Sequence, residues 1–393
     1  MYQLEHTKEF YLDSPWNLPY RRRIEKLKEA KKLGKKTVAY LYGGFDSSTF
    51  RYRGYNVAGT LEYSLYWAGA CFEYQDRIDL ACNLDAVDVL IIIRCEQDEK
   101  MDEFMAEVKK ANIPVGYDID DLVYDPRYVE DLCTAIGVSE FAMKDAWSEY
   151  MKRIRTVAEQ SDFFISTNEF LSGYLNVDFS KPCYVLHNYL NWYQERVSEE
   201  YFNQKQKMRS EKPFEIGYFS GSPTHVKDFM VAMPEIEKFL HAHDDTVLKI
   251  VGYMNFPENW RKLVDNDRVR FVPFKPFVDL QFEQAKSDVN VAPLINNIFS
   301  NCKSELKYFE CAIVGTITCA SPVYTYKCAI SQGENGYICE PGEWLDSLEK
   351  IYRMSDEKVR LKQQEIREVA LKEYSCRNQL KLVEDILDEV VGK

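Results

Sequence analysis

The sequence is short of positive charge. Its 393 residues include 50 Lys and Arg against 63 Asp and Glu, which gives a formal net charge of −13. A protein whose main task is to grip nucleic acid needs an excess of cations facing the phosphates, so this composition excludes that class of partner. Any phosphate-bearing ligand must be held by a local group of basic residues.

Paired cysteine motifs and long apolar runs are also missing. The 11 cysteines include no C-x-x-C pair, which fits neither a zinc ribbon nor a disulfide framework. The longest apolar run, VDVLIII at 87–93, is too short to cross a bilayer, and the first residues lack an apolar signal core. We therefore expect a cytoplasmic protein with reduced thiols.

One segment departs from the acidic balance. Residues 21–36, RRRIEKLKEAKKLGKK, carry nine basic side chains. A basic helix can lie against anionic lipid headgroups, which predicts a peripheral contact with the inner face of the membrane. The apolar face of this helix is narrow, so the alternative is an ordinary solvated helix that leads into the first strand.

Short apolar runs alternate with longer helical patterns along most of the chain. Examples are TVAYLY at 37–42, DVLIII at 88–93 and FEIGYFS at 214–220. Such runs, bounded by turn residues, predict buried parallel strands, and their alternation with helices predicts right-handed β-α-β crossovers. The expected fold class is therefore α/β, with doubly wound parallel sheets.

A polar, highly charged stretch at 191–213 divides this alternation, so we place the connection between two domains there. The prediction is an N-terminal domain over 1–200 and a C-terminal domain over 212–374, with a last helix, 375–393, joining the first domain. In such sheets ligands bind beyond the carboxyl ends of the strands. Residues that directly follow strands are therefore the first candidates for a site.

The strongest candidate is the segment SNCKSELKYFECAIVGTITCAS, 300–321. The spacing of Lys303, Lys307 and Glu310 predicts one face near a helix N-terminus, where backbone N–H groups and the helix dipole favour an anion. Two cations beside a carboxylate suit a nucleoside diphosphate, with lysines on the phosphates and Glu310 on the ribose. The alternative is a solvated helix start with an ordinary Lys–Glu contact.

A second candidate is IGYFSGSPTHVKDF, 216–229, which also follows an apolar run. Ser222 and Thr224 supply hydroxyl donors, and Thr224 is placed to cap a helix whose first turn holds His225 and Lys227. The pattern predicts a second anion-binding helix start, with His225 as a catalytic candidate. The alternative is a structural histidine.

These segments resemble the retaining glycosyltransferases of the GT-B fold, most nearly family 4. The resemblance is carried by GYFSGSPTHVKD, by VAPL followed by NCKSELKYFECAIVGTITCASP, and by GENGYICEPGEW, and it spans almost all of the second half. It implies two Rossmann-like domains that face a cleft. It also implies a nucleotide diphosphate sugar as donor substrate, no further cofactor, a glycan or lipid-linked acceptor, and retaining, metal-independent transfer.

By the same resemblance, Lys227 and Lys307 bind the phosphates and Glu310 binds the ribose. The sequence departs from the family at Cys302, where many members have the first glutamate of an E-x7-E pair. The contact of that glutamate with the sugar ring would then come from Asn301 or Ser304. The phosphate pattern after the first strand of the second half is altered as well.

The first half offers the segment GGFDSSTFRYRGYN, 43–56, directly after the first predicted strand. Gly43 and Gly44 allow a sharp turn without Cβ strain. Arg51 and Arg53 are expected on the rim of the cleft, and we include Gly44 and Arg53 among the donor-binding residues. The alternative is that these arginines lie on the surface.

The segment YDIDDL, 117–122, places carboxylates after another predicted strand. We predict that Asp118 or Asp120 orients the acceptor hydroxyl. The alternative is the D-x-D motif with which the other glycosyltransferase fold, GT-A, binds Mn²⁺. Because the second half already carries a phosphate-binding pattern that GT-A enzymes do not need, we predict no metal.

Two other functions fit the same architecture. A nucleotide-sugar epimerase would need catalytic groups such as His187 and His225 inside the cleft. A non-catalytic nucleotide-sugar-binding protein would keep the fold and lose turnover. Cys302 in place of a glutamate is consistent with that hypothesis.

Overall fold

The computed structural model describes residues 16–45, 47–207, 212–221, 226–254 and 260–392. They form two six-stranded sheets in which all pairs of neighbouring strands are parallel. The strands of the N-terminal sheet are β1 Lys36–Tyr42, β2 Trp67–Glu73, β3 Val89–Ile93, β4 Val115–Ile119, β5 Phe163–Ser166 and β6 Cys183–Val185. Those of the C-terminal sheet are β7 Phe214–Ser220, β8 Thr246–Gly252, β9 Val269–Val272, β10 Val289–Ala292, β11 Ile317–Ala320 and β12 Tyr337–Ile338.

The N-terminal sheet has the order β2-β1-β3-β4-β5-β6. Its central strand β3 is buried along its whole length, because helices cover both faces of the sheet. The α-helices of this half are α1 Tyr20–Lys32, α2 Ser48–Phe50, α3 Asn56–Thr60, α4 Arg77–Ala81, α5 Glu99–Lys110, α6 Val129–Ile136, α7 Phe141–Ala158, α8 Glu169–Phe179 and α9 Trp192–Lys207. Shorter π- and 3₁₀-turns are Arg51–Tyr55, Leu61–Tyr63, Tyr74–Asp76, Leu84–Ala86 and Pro126–Tyr128.

β2 is not among the strands that the apolar runs predict. The strand reads WAGACFE, and its small residues weaken the apolar signal of a buried strand. Its glycine serves close packing: a Cβ on Gly69 would lie 3.1 Å from the Cα of Ala58 in α3. The strand forms the edge of the sheet beside β1.

The C-terminal sheet has the order β12-β11-β10-β7-β8-β9. Its α-helices are α10 Val226–Phe229, α11 Met233–Ala242, α12 Arg261–Asp265, α13 Phe277–Lys286, α14 Ile298–Asn301, α15 Leu306–Ala312, α16 Tyr324–Ala329, α17 Trp344–Tyr352, α18 Asp356–Tyr374 and α19 Cys376–Gly392. The doubly wound parallel architecture expected for both halves is therefore confirmed.

The polar stretch between the halves contains the helix α9, which packs on α13 of the second domain. Its buried face repeats every four residues through Tyr193, Val197, Tyr201 and Lys205. The ammonium of Lys205 donates to the Thr316 hydroxyl at 2.6 Å, and burial lowers the pKa of Lys205 to about 7. The connection is thus anchored to the C-terminal domain.

The last helix, α19, packs on α3 of the first domain. Asp388 on this helix accepts hydrogen bonds from the Trp67 indole at 3.1 Å and from the Lys36 ammonium at 2.9 Å. These contacts place the end of the chain on the N-terminal domain, where it helps to fix the relation of the two halves.

The basic helix α1 uses its apolar face inside the N-terminal domain. Ile24, Leu27 and Ala30 are buried there, and Arg23 pairs with Asp76 at 2.6 Å. A helix that lies in a membrane interface needs a free apolar face, so this packing favours the alternative of an ordinary helix leading into β1. Within the described part of the chain, no helix combines the length and apolarity that crossing a membrane requires.

Candidate active site in the interdomain cleft

A cavity of about 710 Å³ lies where the carboxyl ends of the two sheets face each other. Its N-terminal wall comes from the segment after β1 and from the residues after β4. Its C-terminal wall comes from the residues that follow β7 and β9 and from the turn that leads into α15. The position is the one that open parallel sheets favour for ligands.

Lys307 is a buried and unsatisfied cation of this cavity. Its stem keeps partial exposure, but its Nζ is closed off from water and has no hydrogen-bond partner among the described residues. The ammonium lies 5.1 Å from the centre of the Tyr218 ring. Burial lowers the pKa of Lys307 to about 8, with the charge of Asp228 opposing. An unpaired buried ammonium is costly, and an anion in the cavity would remove that cost.

Glu310 lies beside Lys307 on α15 and is held from both domains. Its carboxylate accepts hydrogen bonds from the Tyr52 hydroxyl and, at 3.3 Å, from the Gln284 amide. A guanidinium nitrogen of Arg51 is 3.6 Å from one carboxylate oxygen. The side chain is 9% exposed and lines the cavity. A carboxylate in this place can accept hydrogen bonds from the hydroxyls of a ligand.

Lys303 and Ser304 also line the cavity, but they lie in the turn before α15 and not on its face. The expectation of a single helical face for Lys303, Lys307 and Glu310 is therefore wrong, because the helix begins only at Leu306. The Lys303 ammonium pairs with Asp121 of the first domain at 3.3 Å.

Ser304 makes a similar bridge, since its hydroxyl accepts a hydrogen bond from the Asn188 amide at 2.9 Å. The turn before α15 thus contacts the N-terminal domain through an ion pair and through neutral hydrogen bonds, which include one from the Asn168 amide to the Lys303 carbonyl at 3.0 Å. It both lines the cavity and joins its two walls.

Arg53 and Asp118 do not face the cleft, which contradicts the roles expected for both residues. They form a two-pronged ion pair with distances of 2.7 and 2.9 Å, and their side chains are 0% and 1% exposed. Arg53 also donates to the Leu186 carbonyl and to Asn188. Burial raises the pKa of Asp118 to about 6 although Arg53 opposes the shift. This pair braces the interior of the N-terminal domain.

Asp120 does line the cavity, and its carboxylate is already oriented. It accepts hydrogen bonds from the Thr49 hydroxyl at 2.7 Å and from Arg94 at 2.9 Å. Burial by itself would raise the pKa of Asp120, but Arg94 and Thr49 bring it below the usual value. Asp121 shares Arg94 at 3.4 Å. Both carboxylates are thus neutralised by a cation of the chain, which disfavours the metal-binding alternative.

Lys227, Asn301 and Gly44 are absent from the described residues that line the cavity. Lys227 is exposed, and its stem lies against Gly137 of the other domain, 3.2 Å from the position of a Cβ there. We expected Lys227 to share one pocket with Lys307, and it does not.

The Asn301 amide is used within its own loop and accepts a hydrogen bond from the backbone N–H of Tyr324 at 2.6 Å. The thiol of Cys302, in the place of the family's glutamate, is buried in the core of the first domain. Neither residue is among the described residues that line the cavity, whereas Ser304 is.

Ser222, Thr224 and His225 fall outside the described residues, so their predicted roles remain predictions. Ser220 and Gly221, just before them, do line the cavity. His187, a candidate for epimerase chemistry, lies 3.5 Å from Glu169 and 3.7 Å from Glu305, away from the cavity lining.

Several residues of the site were not selected from the sequence, and Arg94 and Tyr52 are two of them. Arg94 directly follows β3, and the rule that favours residues after strands would have found it. Its φ of 44° shows a left-handed backbone at that turn. Tyr52 carries no comparable signal, because an aromatic residue in a helical segment is normally assigned to the core.

Residues 214–357 match the family described as glycosyl transferases group 1. The sequence has no significant match among curated proteins.

Solved structures share the fold across nearly the whole chain. The structure of Anabaena HepE in complex with UDP has a TM-score of 0.59 at 12% identity, covering 90% of this chain and 100% of that one. Sucrose-phosphate synthase from Thermosynechococcus elongatus has a TM-score of 0.59 at 11% identity, covering 91% and 100%. A glycosyltransferase from Rickettsia africae has a TM-score of 0.60 at 13% identity, covering 91% and 99%. Residues 214–357 thus match the model of the glycosyl transferases group 1 family, and the whole chain has the two-domain GT-B fold of these neighbours.

Proposed function

We propose that the protein transfers a sugar from a nucleoside diphosphate sugar to a hydroxyl of a glycan or a lipid-linked glycan. The observation that carries the proposal is the water-excluded, unpartnered ammonium of Lys307 in a cavity that also presents Glu310. The neighbour HepE binds UDP and glucose, so UDP-sugars are the first donors to test.

The side chains on the C-terminal wall suit the departing group. When the bond between the anomeric carbon and the phosphate oxygen breaks, the electron pair stays on that oxygen, and the Lys307 ammonium stabilises the added charge. Glu310 would accept hydrogen bonds from the ribose hydroxyls. Positioning and electrostatic stabilisation then supply most of the rate, because no water competes for the buried ammonium.

The opposite wall suits the acceptor. Asp120 is ionised and held by Thr49 and Arg94, so one of its lone pairs can orient an incoming hydroxyl. We extend the proposal to retention of the anomeric configuration and to transfer without a metal ion. The resemblance to group 1 glycosyltransferases supports the proposal that the anomeric configuration is retained. For transfer without a metal, the support is that the cavity's own cations can neutralise a diphosphate.

Incubation of the protein with radiolabelled UDP-, dTDP- and GDP-sugars tests the function. Release of a nucleoside diphosphate with label in a new glycan supports the proposal, and NMR of the product anomer decides retention. A donor converted to its epimer would instead show an epimerase. Tight binding with no conversion across a panel of glycan and lipid-linked acceptors would show a non-catalytic binding protein.

A peripheral membrane contact is a further part of the proposal and rests on charge alone. Arg21, Arg22 and Lys32 of α1 are exposed, while its apolar face is occupied. Sedimentation with vesicles of anionic and of neutral phospholipid at low salt checks it. Equal recovery with both vesicle types would remove this part without touching the transferase activity.

A further inference from the structure

Arg51 reaches from the N-terminal domain across the cavity to the C-terminal domain. It begins the π-helical turn Arg51–Tyr55 that follows α2. The central carbon of its guanidinium lies 4.9 Å from the ring centre of Tyr52 and 4.8 Å from that of Phe277 in the second domain. Stacking between two rings fixes the plane of the guanidinium while leaving its edge free to donate hydrogen bonds.

The hydrogen bonding of Arg51 is incomplete although its side chain is only 11% exposed. Its Nε is buried and has no hydrogen-bond partner in the part of the chain that the structure describes. The carboxylate oxygen of Glu310 is 3.6 Å from the guanidinium, too far for a hydrogen bond. Arg53, two residues on, differs in that its Nε and both terminal nitrogens donate within 3.0 Å. Arg51 therefore keeps donors for a ligand, and Arg53 does not.

The number of charges points to the ligand group that Arg51 would meet. The cations that line the cavity are Arg51, Lys275, Lys303 and Lys307. Lys303 is already paired with Asp121. Lys307 and Arg51 are the two largely buried cations with donors to spare, and the diphosphate of a nucleotide sugar carries two negative charges at neutral pH. The two negative charges of one diphosphate would thus be matched by two cations, one from each domain.

We propose that Arg51 binds the diphosphate of the donor substrate from the N-terminal side, opposite Lys307, and turns to it from Glu310 when ribose hydroxyls engage that carboxylate. This inference rests on the proposed function. It assigns Arg51 a contact with the leaving group: as the bond from the anomeric carbon to the phosphate oxygen breaks, Arg51 donates a hydrogen bond to the oxygens that gain the electron pair. It also makes the donor site incomplete unless both domains contribute.

Binding of UDP and of uridine to Arg51→Ala, measured by calorimetry and by competition against a fluorescent UDP, tests the proposal. We expect the dissociation constant for UDP to rise at least tenfold, while that for uridine stays within twofold or falls, because Glu310 loses a competing cation. Arg51→Lys keeps the charge without the planar fork of donors. Its dissociation constant for UDP should therefore lie between those of the unaltered protein and Arg51→Ala. Arg360→Ala, which changes an exposed arginine on α18, is the matched control and should bind both ligands normally.

The two ligands separate the outcomes. Equal weakening of UDP and uridine binding would show that Arg51 only supports the fold of the cavity, and unchanged UDP binding would show no contact; either result overturns the inference. Preserved binding of both ligands by Arg51→Lys together with equal loss of both by Arg51→Ala would also overturn it. If the unaltered protein binds no nucleoside diphosphate at all, the proposed function itself fails, and this inference fails with it.

Discussion

The charged residues that follow β3 and β4 and those on α15 have different surroundings. In the N-terminal domain, Arg53 pairs with Asp118 in the interior, and Arg94 pairs with both Asp120 and Asp121. On the C-terminal side, the Lys307 ammonium is buried and has no hydrogen-bond partner among the described residues. Self-satisfied pairs hold a structure together, whereas an unsatisfied buried charge is poised for a ligand.

The same contrast appears between neighbours in sequence. Arg51 and Arg53 are two residues apart and looked equivalent in the sequence, yet only Arg53 has a full set of partners. Lys227 and Lys307 were expected to do the same job, yet Lys227 is exposed beside Gly137. We propose that a buried cation with donors to spare binds the ligand in this protein, whereas a buried cation with a full set of partners braces the fold. The predictions below test that rule.

The largest effect is expected at the buried ion pair. Arg53→Met leaves Asp118 buried without its cation and should lower the free energy of unfolding by about 3–5 kcal/mol. UDP affinity, measured well below the melting temperature, should stay within twofold. Calorimetric melting and UDP titration of the same sample provide both values.

The double variant Arg53→Met/Asp118→Leu removes both charges and should recover most of that stability. A stable Arg53→Met protein that has lost UDP binding would reverse the assignment and return Arg53 to the donor site.

The second-largest effect is expected for Lys307→Met, which should weaken UDP binding and yet stabilise the ligand-free fold. Loss of a charge-assisted contact should weaken UDP binding by about 1.5–3 kcal/mol, or roughly 10- to 150-fold. Removal of a buried unpaired ammonium should raise the free energy of unfolding of the ligand-free protein by about 1–3 kcal/mol. Calorimetry and urea unfolding check the two signs. A variant that binds UDP as well as the parent would remove Lys307 from the site.

The pH dependence of UDP binding follows from the same side chain. Burial lowers the pKa of Lys307 to about 8, so the ligand-free protein loses this charge as the pH rises through 8. UDP affinity should then fall by up to about tenfold per pH unit between pH 8 and 10, since the phosphates titrate well below this range. Stability of the ligand-free protein should change in the opposite direction, because the unfolded chain keeps this proton up to a higher pH.

Lys307→Arg is the control, because an arginine stays charged throughout this range. Its UDP affinity should show no decline between pH 8 and 10. An equally steep decline in the arginine variant would assign the pH effect to another group.

The smallest effect is expected for Lys227→Met, which matches the Lys307 variant in chemistry but changes an exposed side chain. UDP affinity should change by less than twofold in calorimetry at low salt. A tenfold loss would mean that Lys227 reaches the phosphates after all, as the family resemblance implies, and the rule drawn from hydrogen bonding would fail.

Much of the fold could be predicted because buried parallel strands appear in the sequence as short apolar segments. β3 is a continuous apolar run, and β7 and β10 are mostly apolar segments between turn residues. Two elements were harder to assign for physical reasons. β2 is rich in Ala and Gly because α3 packs closely on it, and α9 is polar except for one narrow buried stripe.

The site could be predicted only in part. Lys303, Ser304, Lys307, Glu310 and Asp120 do line one cavity, because each follows or approaches the carboxyl end of a strand. Their partners could not be predicted. Arg53 and Asp118 are 65 residues apart in the sequence, and Tyr52 and Glu310, which also contact each other, are 258 residues apart.

The sequence by itself determined two parallel sheets and the kinds of charge available at the strand ends. Apolar runs and turn residues act locally, so they can be read without the rest of the chain. Only the tertiary structure decided which charges neutralise one another and which remain for a ligand. That choice depends on distances of a few ångströms between residues far apart in the chain, and on how much water each pair loses when the domains pack together.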